Sequence, residues 1–121
     1  MNTSSREIEA YVKASDFHAV VSLLSSAIGP LKTDDLSVSE LQVYEYEGVK
    51  VLLQHSEDGF ISVWVRGSEL WPSSPAFGRY LAAELYCVVL CDPEHEFPEV
   101  SPHSSVFLQI EGNRESLITW G

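Results

Sequence analysis

Long apolar runs are absent from this sequence, and so are the signatures from which a reaction is usually read. No stretch approaches the roughly 20 apolar residues of a membrane span. Only two cysteines occur, Cys87 and Cys91, and there is neither a CxxC pair nor an HExxH helix to set zinc-ligand spacing. No GxSxG elbow lifts a serine onto a strained strand-to-helix turn. The seven glycines are scattered and do not form a phosphate-cradling loop. These absences argue against metal, serine-nucleophile and nucleotide chemistry, so neither catalysis nor a cofactor is expected.

Positive charge is scarce too. Seven Lys and Arg stand against eighteen Asp and Glu, a net charge of -11. Such a domain repels phosphate backbones and anionic lipid, so neither nucleic acid nor a membrane is the expected partner. A basic protein is, because the same field would steer a cationic surface toward it. The cysteines lie in the apolar run LYCVVLC, read as a buried strand. Four residues apart on a strand they would be separated by roughly 13 Å, too far for a disulfide. Buried free thiols suit a reducing compartment, and the N-terminal MNTSSREIEAYVKAS lacks the pattern of a signal peptide. The expected location is the cytoplasm.

What is present reads as a chain of short elements. At 121 residues one domain is expected, with residues 1 to 5 loose. Alternation from Glu7 to Lys13 predicts a strand. Ser15 and Asp16 then offer an N-cap, and Phe17, Val20, Val21, Leu24 and Ile28 form the stripe of an amphipathic helix that Gly29-Pro30 stops. Residues 32–39 read as a polar connection. A meander follows over 41–46, 49–54 and 60–66, with turns at Glu47-Gly48 and Ser56–Gly59. Ser74 as N-cap and Pro75 in the first turn predict a second helix buried through Phe77, Leu81 and Leu85, with Gly78 tolerated for close packing. Trp71-Pro72 anchors the approach to that helix. A strand over Tyr86–Leu90, an acidic loop DPEHEFPEVSPHSS, and strands 106–110 and 116–120 complete the chain. The fold class is α+β: a single, mostly antiparallel sheet with two helices packed on one face, in the order β-α-β-β-β-α-β-β-β.

Several clusters invite a chemical reading. Cys91, Asp92, Glu94, His95, Glu96 and His103 include every ligand type zinc accepts, but without its spacing, so they read as a solvated loop. His18 and His55 lack a nucleophile in pattern, and Cys87 lies between apolar neighbours that predict burial. Asp34 with Asp35, and Glu45 with Glu47, read as solvated carboxylate pairs, not as an acid and a base. The aromatics are more suggestive. If Ile61, Val63 and Val65 face the core, Phe60, Trp64 and Arg66 face outward, and Tyr44 and Tyr46 pose the same question on a neighbouring strand. An outward set of Tyr, Trp and Glu suits a protein-binding surface. The candidate contact residues are Tyr44, Glu45, Tyr46, Glu47 and Trp64 on the meander, with Asp92, Glu94, His95, Glu96 and Glu99 on the acidic loop.

Residues 63–93, VWVRGSELWPSSPAFGRYLAAELYCVVLCDP, resemble a pattern of small acidic bacterial immunity-type proteins. A strand leads through a Trp to a short capped helix and on to an apolar strand ending in Asp-Pro. The resemblance implies a non-enzymatic inhibitor that occludes the active site of a basic toxin. It assigns no individual residue. Two other readings stay open: a small-molecule-binding or enzymatic domain with a cleft between sheet and helices, and a structural subunit whose outward aromatics bury in a homodimer.

Overall fold

The computed structural model describes residues 7–14, 16–34, 40–101 and 104–120. Its strands are β1 (Glu7–Val12), β2 (Lys32–Thr33), β3 (Leu41–Tyr46), β4 (Val49–His55), β5 (Ile61–Arg66), β6 (Val89–Cys91), β7 (Val106–Glu111) and β8 (Arg114–Thr119). Helix α1 (Phe17–Ile28) follows β1, and α2 (Ser74–Leu85) follows β5. The eight strands form one sheet in the order β2-β3-β4-β5-β1-β6-β7-β8, antiparallel at every step. The α+β class and the antiparallel sheet are as the sequence predicts.

Register explains which face is buried. Ala10 lies opposite Val63 on one side and Cys91 on the other, and Cys91 lies opposite Leu108. Val12, Ile61, Val89 and Ile110 form the next such row. Side chains alternate along a strand, so these rows share one face. They join Val20 and Leu24 of α1 and Phe77 and Leu81 of α2 in a single core. Gly78 is where α2 comes closest to the sheet. A Cβ there would stand 3.1 Å from Ile110 Cδ1 and 3.2 Å from Cys91 Sγ.

Local chemistry sets the helix ends. Asp16 accepts a hydrogen bond from the Ala19 amide at 3.3 Å and caps α1. At α2 the cap is Ser73, not Ser74: its hydroxyl accepts from the Ala76 amide at 3.2 Å. The sequence reading misplaced the cap because Ser74 has another task. The Ser74 hydroxyl accepts from the Glu9 amide and so ties the start of α2 to β1.

Three boundaries differ from expectation. Lys32–Thr33 forms a short edge strand on β3 where a polar connection was expected, and residues 35–39, Asp35 among them, lie outside the described residues. The strand expected over 86–90 is β6 at 89–91, because Tyr86 terminates α2 in a left-handed conformation (φ 55) with its amide bonded to Ala82 O. Cys87 is therefore outside the strand and half-buried; Cys91 is buried, and both are free. The last hairpin turns on Gly112-Asn113 alone, so β8 begins at Arg114 and Trp120 lies beyond it.

On the face away from the helices, Trp120 closes a second, aromatic cluster. Its ring lies 5.0 Å from Tyr11, 5.3 Å from Phe60 and 5.4 Å from Phe107, and its Nε1 donates to Asp58 at 2.9 Å. Phe60, expected to face outward, is buried there. Sheet coiling thus brings the end of β8 over to the β4–β5 connection.

Candidate functional site

The register also decides which of the candidate residues meet. Glu7, Arg66, Lys50 and Glu45 lie side by side across β1, β5, β4 and β3. The Glu47-Gly48 turn, the 67–73 connection and the 92–101 loop therefore all leave the sheet at the end where β1 begins. Together they form a rim that carries Glu47, Glu69, Asp92, Glu94, Glu96 and Glu99 and no Lys or Arg. Lys32, Lys50 and Arg66 stand beside the rim at its base, as Lys13 and Arg114 stand among or beside the carboxylates of the opposite end.

Within the rim the carboxylates differ in what they hold. Asp92 accepts from the Glu94 amide at 2.7 Å, and Glu94 accepts from the Ser74 amide at 3.2 Å. These bonds shape the loop. Glu96 binds Arg79 of α2 through two contacts, of 2.6 and 3.0 Å. Glu47, Glu69 and Glu99 are exposed and have no cation within ion-pair distance among the described residues. His95 is exposed beside them. A cavity of about 340 Å³ opens between Asp92, Glu94, His95, Pro98 and Val106. It lies at the small end of the range of ligand sites, about 300–1,000 Å³.

The other candidates are placed elsewhere. Glu45 and Trp64 lie on the face away from the helices. Trp64 is half-buried between Leu52 and Glu9, and Glu45 stands between Lys32 and Lys50 in register. Tyr44 and Tyr46 turn to the helix side, where Tyr44 packs against the core and Tyr46 lies under Gly29. The continuous outward surface of Tyr, Trp and Glu is therefore divided between two faces, because a strand's side chains alternate. Cys91, grouped by sequence with the loop carboxylates, is buried under α2, and burial pushes its thiol up to about 12. His103 lies outside the described residues. Among the described residues no group of three or more His, Cys, Asp or Glu is placed to hold a metal ion.

Sequence reasoning missed Glu69 and Leu70. Trp71 is buried against Phe77 and Tyr80, with ring centroids 4.8 and 5.1 Å away, and Leu70 is left 55% exposed on the rim. The signal in the sequence was only the adjacency of two large apolar residues in a short connection, SELWP.

Arg79 anchors the rim to the rest of the fold. It holds Glu96 on one side and Glu115 of β8 on the other, the latter at 2.8 and 3.0 Å. Arg79→Met should cost about 1–2 kcal/mol at neutral pH. That exceeds a single exposed pair because both contacts are two-pronged, but solvent screening caps it. Hydrogen bonds from Arg79 hold the Glu96 carboxyl below its ordinary value. Its contribution is present above the unfolded value of about 4.3 and is lost as pH falls through the lower folded value. Wild type should therefore lose more stability than Arg79→Met between about pH 5 and 3, which urea melts across that window would measure.

Among the described residues no helix is long and apolar enough to cross a membrane. No protein-family model, curated protein or solved structure matches this chain.

Proposed function

We propose that this chain is a non-enzymatic binding domain that grips a basic protein with its acidic rim, and that it acts as an immunity-type inhibitor of a basic toxin. One observation carries the reading. Three separate connections converge on one end of the sheet with carboxylates and no Lys or Arg, and they present Leu70 among them. Carboxylates select a cationic surface and set the rate of encounter, while an exposed apolar residue supplies contact area that water leaves on binding. Glu47, Glu69 and Glu99 are the free charges for that task. The cavity beside Asp92 and Glu94 takes one Lys or Arg side chain of the partner. Occlusion needs no reacting group on this chain.

The test compares two triple reversals of equal charge. Glu47→Lys with Glu69→Lys and Glu99→Lys alters the rim; Glu40→Lys with Glu57→Lys and Glu84→Lys alters exposed positions elsewhere. Wild-type chain is used to capture a basic protein from an extract of the source organism, and that protein is then purified. The rim variant should bind it about 10–100-fold more weakly, the control variant nearly as wild type, and wild-type binding should weaken with added salt. Equal losses in both variants would reduce the charge to a general field effect. A captured protein that keeps its own activity when saturated with this chain would exclude the inhibitor role.

A further inference from the structure

We infer that two copies of this chain pair through β8, antiparallel about a two-fold axis at Leu117, so that the sheet continues from one copy into the next. β8 is the last strand of the sheet and has β7 as its only neighbour. The Trp120 amide donates to Ser105 O at 3.0 Å, which sets the phase of the ladder. Residues 114, 116, 118 and 120 therefore turn their backbone groups toward β7. Glu115, Leu117 and Thr119 turn theirs outward, where no protein group among the described residues meets them. An uncovered strand edge of this length is a template for another strand. The opposite edge, Lys32–Thr33, is two residues long and carries a lysine.

The occupant follows from charge. On a chain of net -11, a second copy is repelled almost everywhere. β8 is the exception: Glu115 is paired with Arg79 and Arg114 with Glu111, and Ser116–Thr119 carry no charge. Pairing about Leu117 sets Leu117 against its own copy, Glu115 against Thr119, Ser116 against Ile118, and Arg114 beside the Trp120 indole. No like charges meet across the axis, and like charges directly opposite would weaken the pairing. Leu117 is 37% exposed and lies opposite Leu108 on the helix side, so the contact lengthens a row of the existing core. The interface is isologous and closes after two copies.

Sedimentation velocity from about 1 µM to about 1 mM protein brackets the affinities in question. A monomer–dimer equilibrium is expected, strengthened by salt because two acidic copies repel at low ionic strength. Amides of Glu115, Leu117 and Thr119 should exchange with solvent slowly in the dimer and fast in the monomer. Thr119→Lys adds a second cation, beside Arg79, to Glu115 of the second copy and should tighten the dimer, and Thr119→Glu sets a second carboxylate against it and should loosen it. Each pair occurs twice, so the two variants should differ by about tenfold in dissociation constant. Leu117→Lys should be monomeric; all three substitutions sit at exposed positions, and an unchanged circular dichroism spectrum verifies the fold. A monomer at 1 mM (about the ceiling of the range) would overturn the inference. So would a dimer indifferent to the Thr119 charge, or one whose Glu115, Leu117 and Thr119 amides still exchange freely. Binding at the rim weakens with salt while this pairing strengthens, so the two readings fail independently.

Discussion

Gly29→Ala is expected to destabilise the fold by about 2–4 kcal/mol, with a backbone and a side-chain component of similar size. Gly29 ends α1 at φ 136 and ψ 170, a region that residues with a Cβ scarcely enter. The space is also taken, because a Cβ there would overlap the Tyr46 ring. Tyr46 reaches that point because β3 directs it to the helix side, and the chain leaves α1 across its face. Urea denaturation of Gly29→Ala, Tyr46→Ala and the double variant separates the two components. Relief of the clash should return about half of the loss in the double variant. Full return would show that the backbone conformation costs nothing, and no return that the ring is irrelevant.

Phe77→Ala should cost more, about 3–5 kcal/mol, since a large buried ring is removed and its surroundings are held from several sides. Phe77 is fully buried, packs on Trp71 at 4.8 Å between ring centroids, and lies in the first half of α2 above the centre of the sheet. Domains of this size are commonly stable by about 5–15 kcal/mol, so the loss is a large share of the total. The effect should reach the rim. Ser74 and Arg79, on either side of Phe77, hold Glu94 and Glu96, so a loosened α2 frees the 92–101 loop. Hydrogen exchange in that loop should rise in Phe77→Ala by more than in the distant β3–β4 hairpin.

Much of this architecture is legible in local sequence. The meander shows as alternation with turn residues between its strands, and α1 shows as a three- and four-residue apolar stripe ended by Gly29-Pro30. Gly78 is readable as a packing glycine because a helix interior otherwise disfavours it. What was not legible depends on partners remote in the chain. Ser73 and Ser74 are equivalent as caps until β1 supplies the Glu9 amide that occupies Ser74. Tyr44 and Tyr46 could not be assigned a face from alternation alone, since period two states only that they share one. Arg79 is unremarkable on its helix; its partners lie 17 and 36 residues away. The candidate site shows the same division. The acidic residues were visible singly, but their convergence on one rim follows from strand order, which places β1 between strands that come much later.

That placement of β1 bears on how the chain assembles. β1 is synthesised before either of its neighbours, yet β5 and β6 flank it at the middle of the sheet. β3, β4 and β5 can zip together through short turns as soon as they emerge. β1 must wait, with Ile8, Ala10 and Val12 unsheltered, until long loops close around it. Its second side is filled only after α2 has crossed and β6 has been made. An early arrest of translation therefore leaves an apolar strand with two open edges, the kind of species that aggregates or engages a chaperone. The centre of the sheet is begun first and completed near the end.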